Sequence, residues 1–291
     1  MPNFCIENDE LKVTILSIGA ELQSIFNKSN STEYLWDANP EYWSKKSPIL
    51  FPIVGGLKNN SYSNNEKFYS LNRHGFAREN EFEVIQISDT TIQFVFQSNE
   101  ETLKNYPFHF KLTIEYSIIN NQLFCNYSVE NLGSEEMYFS IGAHPAFKVP
   151  LDKQTNFADW FLEFNEIENA EIYPLTNEGL LELNSTPFLK NTNQLQLNKE
   201  LFLKDALVFK NLKSNKISLK SNAAKKGLTL QFDDFNFFGI WSAKNADFVC
   251  LEPWCGVADS VNSNGDITQK EGINKLNSKE IFIRTWSLEL F

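Results

Sequence analysis

Two stretches of this chain put a titratable group at the end of an apolar segment. In Phe248-Val249-Cys250-Leu251-Glu252-Pro253-Trp254 a hydrophobic run reaches a carboxylate, then a proline, then an indole. Proline donates nothing to a sheet ladder, so a strand here is expected to finish at or just before Pro253, with Glu252 at a sheet rim. Apolar surroundings disfavour the ionised form and push a carboxyl toward the range useful for proton transfer. A structural Glu paired with Lys or Arg is the other reading of the same stretch. The second segment is Tyr138-Phe139-Ser140-Ile141-Gly142-Ala143-His144-Pro145. On a strand, Ser140, Gly142 and His144 share one face, and two small residues leave an open trough that ends in an imidazole. Together His144 and Glu252 make an acid/base pair suited to neutral pH.

The other two histidines differ. His109 alternates with apolar residues on the polar face of a strand and is expected in solvent. His74 lies in Arg73-His74-Gly75-Phe76-Ala77-Arg78, where a glycine permits close backbone approach and two arginines flank an imidazole. That density of donors suits an oxygen-rich ligand; a solvated basic loop is the alternative. Nothing reads as a phosphate-binding glycine loop, a nucleophile elbow or a metal-ligand spacing. Asp259 is available as a second carboxylate, but nothing in the sequence ties it to Glu252. What remains is proton transfer with no cofactor.

The elements that must position these groups are strands. Phe108, Phe110, Leu112, Ile114, Tyr116 and Ile118 alternate with polar residues, Asn120-Asn121 supplies a turn, and Leu123, Cys125, Tyr127 and Val129 continue on a partner. Similar alternation recurs to the end of the chain, where the phase changes between Ile283 and Trp286 and suggests a β-bulge. Ser98 with Glu101 resembles a capping box for one short helix. Asn165–Leu203 reads as irregular connections and Asn262–Asn277 as an exposed loop. The expected fold is all-β, a large antiparallel β-sandwich forming one domain over residues 1–291.

Composition narrows the partners. A formal charge of −11 over 291 residues argues against nucleic acid or an anionic membrane surface. The four cysteines (Cys5, Cys125, Cys250, Cys255) form no C-x-x-C pair, so free, mostly buried thiols in a reducing compartment are expected. The N-terminus has neither a basic region nor an apolar run, and a cytoplasmic protein follows as the expectation. Whether it is a monomer or a homodimer is left open.

Four motifs in order then carry a resemblance: Ser47-Pro48-Ile49-Leu50-Phe51-Pro52-Ile53-Val54-Gly55, Arg73 to Arg78, Ile141 to Phe147, and Phe248 to Trp254. Together they resemble the aldose 1-epimerase (galactose mutarotase) superfamily, and its LacX-like branch most of all, from about Leu11 to the last strand. The resemblance implies a β-supersandwich and interconversion of the α and β anomers of an aldohexose, possibly phosphorylated. It implies Glu252 as the base at the C1 hydroxyl and His144 as the acid at the ring oxygen. It also implies His74 near the ring oxygen, Asp205 accepting sugar hydroxyls, and Arg78 helping to hold a phosphate in the branch that takes one. This chain departs from the family at Gly56, where an arginine is usual. Lys58, Arg73 and Arg78 are the candidates to replace it, and a non-catalytic sugar-binding module is the alternative function.

Overall fold

The computed structural model describes residues 2–291. Among them, β-strands account for most of the regular structure, and the one α-helix is Glu100–Asn105. Fourteen strands join one antiparallel sheet. Its path runs from Ile141–Gly142 through Phe248–Cys255, Phe237–Trp241, Leu207–Lys210, Trp160–Ile172, Lys216–Ser221 and Leu228–Gln231. It continues through Ile281–Leu290, Gln122–Asn131, Phe110–Ile119 and Thr91–Gln97 to Glu83–Ser88. A four-stranded sheet, starting at Asn3–Glu7 and ending at Thr32–Glu33, packs its inward residues Ile6, Val13, Ile15 and Ile25 into the same buried cluster as Phe94, Leu112, Trp286 and Leu288. The all-β antiparallel expectation holds, and no helix is long and apolar enough to cross a membrane.

The clearest alternation becomes the clearest strand pair. Phe110, Leu112, Ile114, Tyr116 and Ile118 are buried, and the residues between them are not. Ile119 pairs with Gln122 across a turn in which Asn120 takes a positive φ of 53°. His109 is exposed, as expected.

Several expectations are corrected. The strand Phe248–Cys255 does not stop at Pro253 but runs through it, and all eight residues are buried. In an antiparallel strand the N and C=O of one residue face the same neighbour. The Pro253 carbonyl accepts from Ala143 N–H, so its donorless nitrogen also faces that side. There the neighbouring strand breaks off, and the Ala143–Pro253 pair keeps one of its two possible bonds. Glu252 is therefore interior to a strand and only 1% exposed, rather than at a rim. On the other side, Ser140, Gly142 and His144 do not share one strand: Met137–Phe139 pairs with Asn274–Leu276, and Ile141–Gly142 pairs with Cys255 and Trp254.

The polar stretch after Phe164 holds the long pair Trp160–Ile172 and Thr186–Gln196, whose register shifts three times and so blurs the period-two signal. Residues 262–277 are not simply exposed, since Ile267 and Lys270 are buried. The helix is capped by Asn99 with Thr102, not by Ser98 with Glu101. No bulge occurs near Arg284, where pairing with Gln122–Asn131 is unbroken. Ile281 and Ile283 face solvent instead.

Candidate active site

The strand Phe248–Cys255 carries the centre of the site. Gly142 pairs with Trp254 and Ala146 pairs with Cys250, so three residues separate the paired positions on both chains. The register is conserved across the break, which sets His144 directly opposite Glu252 on the same face. Ala143 N–H bonds Pro253 O at 3.1 Å and Leu251 N–H bonds Pro145 O at 3.3 Å, closing the break at both ends. His144 Nε2 lies 3.4 Å from Glu252 Oε2. Trp43 stacks on the His144 ring with centroids 4.9 Å apart, and Trp241 and His74 meet it edge-on at 5.6 and 5.7 Å.

The small residues serve a different purpose from the open trough expected. A Cβ at Gly142 would fall 2.5 Å from Trp254 Cδ1, and one at Gly239 would fall 2.5 Å from the six-membered ring of the same indole. Trp254 thus lies flat over two glycines on the strands flanking its own and paves the pocket beside Glu252. Ser140 points elsewhere, against Gly256. Gly142→Ala or Gly239→Ala is expected to lift the indole and cost about 1–3 kcal/mol through overpacking, read by chemical denaturation. Wild-type stability in both variants would show that Trp254 is not clamped.

His74 is reached by a strained route. Its φ is 71°, and Gly75 follows at 69°, where a Cβ would meet Phe51 O at 2.3 Å. His74 N–H donates to Gly55 O at 2.9 Å, and Gly55 N–H donates to His74 Nδ1 at 3.1 Å. With Nδ1 accepting, the neutral ring carries its proton on Nε2 and presents a donor to the cavity. Burial, then the charges of His144, Arg73 and Arg78, hold the imidazole well below its ordinary range, so it is neutral.

Asp205 also has a positive φ, of 76°. Its Oδ1 accepts from Ala206 N–H at 2.8 Å, and its Oδ2 lies 3.6 Å from Arg73 Nη2. The Arg73 guanidinium lies over Gly179, where a Cβ would sit 2.9 Å from Nη1, and a Cβ at Gly56 would sit 3.6 Å from the Gly179 carbonyl oxygen. Arg78, on the short turn Ala77–Glu79, donates from Nη2 to Arg73 O at 2.9 Å. Lys58 is turned away: its ammonium donates to Ser263 O, and it does not line the cavity.

These groups surround a cavity of about 460 Å³, within the usual range for small-molecule sites. His74, Arg78, His144, Asp205 and Glu252 all line it, as does Arg73, so of the residues singled out as candidates only Lys58 stays outside. Among the described residues, Glu252 Oε2, His144 Nδ1, Trp254 Nε1 and Arg78 Nε have no hydrogen-bond partner. Buried polar atoms are ordinarily paired, so four orphans around one cavity mark a site built for a polar ligand. Burial pushes the Glu252 carboxyl well up, with the Arg73 charge opposing, and pushes the His144 imidazole down to about 3. The upward shift of Glu252 is as expected; a histidine left near its free value is not. Burial disfavours the charged form of both partners, so the pair favours one proton and no net charge.

Comparison with known proteins adds the family. The aldose 1-epimerase family model matches residues 2–273. The chain belongs to the aldose 1-epimerase family. Protein LacX of Lactococcus lactis subsp. lactis, in its plasmid form, is 38% identical over 282 residues, with 93% of each chain covered. A galactose mutarotase related enzyme from Lactobacillus acidophilus superposes with a TM-score of 0.95 at 37% identity, covering 100% of this chain and 97% of that one. A galactose mutarotase-like protein from Lactobacillus casei matches at 0.94 and 30%, with full coverage of both. The β-sandwich of this family member is therefore the galactose mutarotase-like one, and a sugar epimerase or mutarotase type of function is supported.

Some pocket residues of this aldose 1-epimerase family member were not legible as such. Arg73 is named by its motif only as one of three candidates to replace an arginine, and of the three it and Arg78 line the cavity while Lys58 does not. Gly239, alone in the apolar run Phe237–Trp241, is a sequence signal of close approach. Trp43 and Trp241 carry no local signal at all.

Proposed function

We propose that the chain, acting as one domain, is an aldose 1-epimerase that interconverts the anomers of a free aldohexose. The observation that carries this reading is the His144–Glu252 pair, set in register 3.4 Å apart inside a cavity with unpaired polar walls. Glu252 takes the proton of the C1 hydroxyl, and His144 gives one to the ring oxygen as the C1–O bond breaks. Rotation about C1–C2 and reclosure with the roles reversed yields the other anomer. One proton leaves the sugar and one arrives, so a pair holding a single proton suffices. The Arg73 charge and the incoming sugar hydroxyls favour the carboxylate, which moves the shared proton onto His144 before ring opening. His74 Nε2–H donates near the ring oxygen, Asp205 accepts sugar hydroxyls, and the Trp254 indole offers an apolar wall to the C–H face.

Arg73 takes the place of the arginine missing at Gly56. Arg73→Ala is expected to raise KM about 10- to 100-fold, the worth of a charged hydrogen bond, with a smaller change in kcat. An unchanged KM would remove Arg73 from the sugar contacts. The reaction itself is tested by following the optical rotation of freshly dissolved α-glucose, α-galactose and glucose 6-phosphate. Decay no faster than in buffer for all three overturns the mutarotase reading. Sugar binding without turnover would favour the second reading, a sugar-binding module, for which the glycine at position 56 speaks.

A further inference from the structure

We propose that the acid/base centre doubles as a binding site for a thiophilic divalent cation, Zn²⁺ foremost, which blocks the cavity when bound. Three ligand types converge there: His144, Cys250 and Glu252, all buried, with their ligand atoms within 4.8 Å of one another. Cys250 and Glu252 are two apart on one strand and so share a face, while His144 stands opposite Glu252 on the neighbouring segment. A tetrahedral ion bonding nitrogen and oxygen at about 2.0–2.2 Å sets those atoms roughly 3.4 Å apart. That is the separation His144 Nε2 and Glu252 Oε2 already have. Glu252 Oε2 is buried and makes no hydrogen bond, His144 Nε2 standing off at 3.4 Å, so the ion satisfies an acceptor the protein leaves under-used. With its Sγ within 4.8 Å of both atoms, the thiol needs to close by at most about 1 Å to reach a zinc–sulfur distance of about 2.3 Å.

Three protein ligands leave the fourth position to the cavity, where water completes the shell and the ion stands in the way of a sugar. On binding, the protons of the Cys250 thiol and the Glu252 carboxyl pass to solvent, and the ion takes their place. The site is not built for a resident metal. His144 Nδ1 has no carboxylate or carbonyl partner to brace the ring, which resident sites ordinarily provide. A bound ion removes both the base and the acid from service, so the consequence is inhibition.

Occupancy does not depend on the mutarotase reading; only the loss of activity does. The experiment titrates CoCl2, then ZnCl2, into reduced, chelator-treated full-length protein and follows the cobalt–thiolate charge-transfer absorption. One equivalent of Co²⁺ is expected to give the band, Zn²⁺ to abolish it by displacement, and glucose to compete with both. Cys250→Ser is expected to lose the band and to bind at least about tenfold more weakly, and Glu252→Gln to weaken binding likewise while keeping the thiolate. Cys5→Ser and Cys255→Ser are expected to retain it. The absence of a thiolate band in the wild type, its persistence in Cys250→Ser, or its loss in Cys255→Ser overturns the proposal. If the band behaves as expected but no sugar is turned over, the metal site stands and the mutarotase reading falls. Where turnover is present, Zn²⁺ must suppress it and a chelator restore it.

Discussion

Glu252→Gln is expected to lower kcat by about 10²–10⁴-fold while leaving sugar affinity nearly intact. The range is that of one general acid/base group. The amide keeps the size of the side chain over Gly239 and beside Trp254, so the cavity is preserved and only the proton traffic stops. The same variant is expected to be more stable than the wild type near neutral pH. The folded protein holds the Glu252 carboxyl protonated well above its ordinary 4.5. The wild type's stability from this group is therefore fully present below pH 4.5 and declines as pH rises toward the folded-state value. Glutamine has no such decline, so the gap between the two melting temperatures should open upward from that pH. His144 behaves oppositely: its folded-state value is pulled from 6.5 down to about 3. It costs stability as pH falls through that window, and His144→Gln should flatten the acid limb there. Melts taken on both sides of these values test both signs. A glutamine variant that melts with the wild type at every pH would mean Glu252 is ionised in the folded protein, and the shared-proton pair would be wrong.

Asp259→Ala is expected to be the most destabilising single change near the site, by about 3–5 kcal/mol, because it strands a buried ammonium. Lys270 Nζ lies 2.8 Å from Asp259 Oδ1 and 2.7 Å from Val257 O, and both side chains are almost fully buried. The residue also joins three segments around the cavity. Lys58 N–H donates to its Oδ2 at 3.0 Å, its own N–H donates to Gly56 O, and Leu181 N–H donates to its carbonyl. Loss of the side chain should therefore loosen the wall formed by Val257 and Ala258 and raise KM more than it lowers kcat. Pairing it with Lys270→Met removes the stranded charge and should recover much of the stability, by the logic of apolar replacement of buried ion pairs. Urea unfolding of the two single variants and the double closes the cycle. A cost under about 1 kcal/mol for Asp259→Ala, the ordinary cost of a point change, would show that Lys270 escapes to solvent and that the node is not rigid.

How much of this was readable beforehand follows the distance over which each feature is decided. The alternation from Phe108 to Ile118 is local, and the strand it announces is there. Glu252 and His144 were found because each stands at the end of an apolar segment, though the reason offered for each was partly mistaken. By local pattern Pro253 reads as a strand end, yet its nitrogen faces the segment where the neighbouring strand breaks off. Gly142 reads as open space, yet a tryptophan fills it. Both errors come from the partner strand, which local pattern does not contain. The same holds for Asp259: its partners Lys58 and Leu181 lie far away in sequence, and nothing near it announces a buried ion pair. Arg73 was written in plain view between Asn72 and His74. Only the fold shows that it, and not Lys58, lines the cavity.

The register that sets His144 across from Glu252 has a consequence for how such a protein can change. The spacing of the two reacting groups is fixed by the backbones of two adjoining segments tied to a continuous sheet. The remaining cavity walls come from elsewhere, from the segments around Arg73, Gly179, Asp205 and Ala258. On the proposed function, chemistry and selectivity are thus encoded in separate stretches of chain. Exchanging the latter can retune which sugar enters without disturbing the catalytic step, so a new preference does not have to be won by rebuilding the active centre.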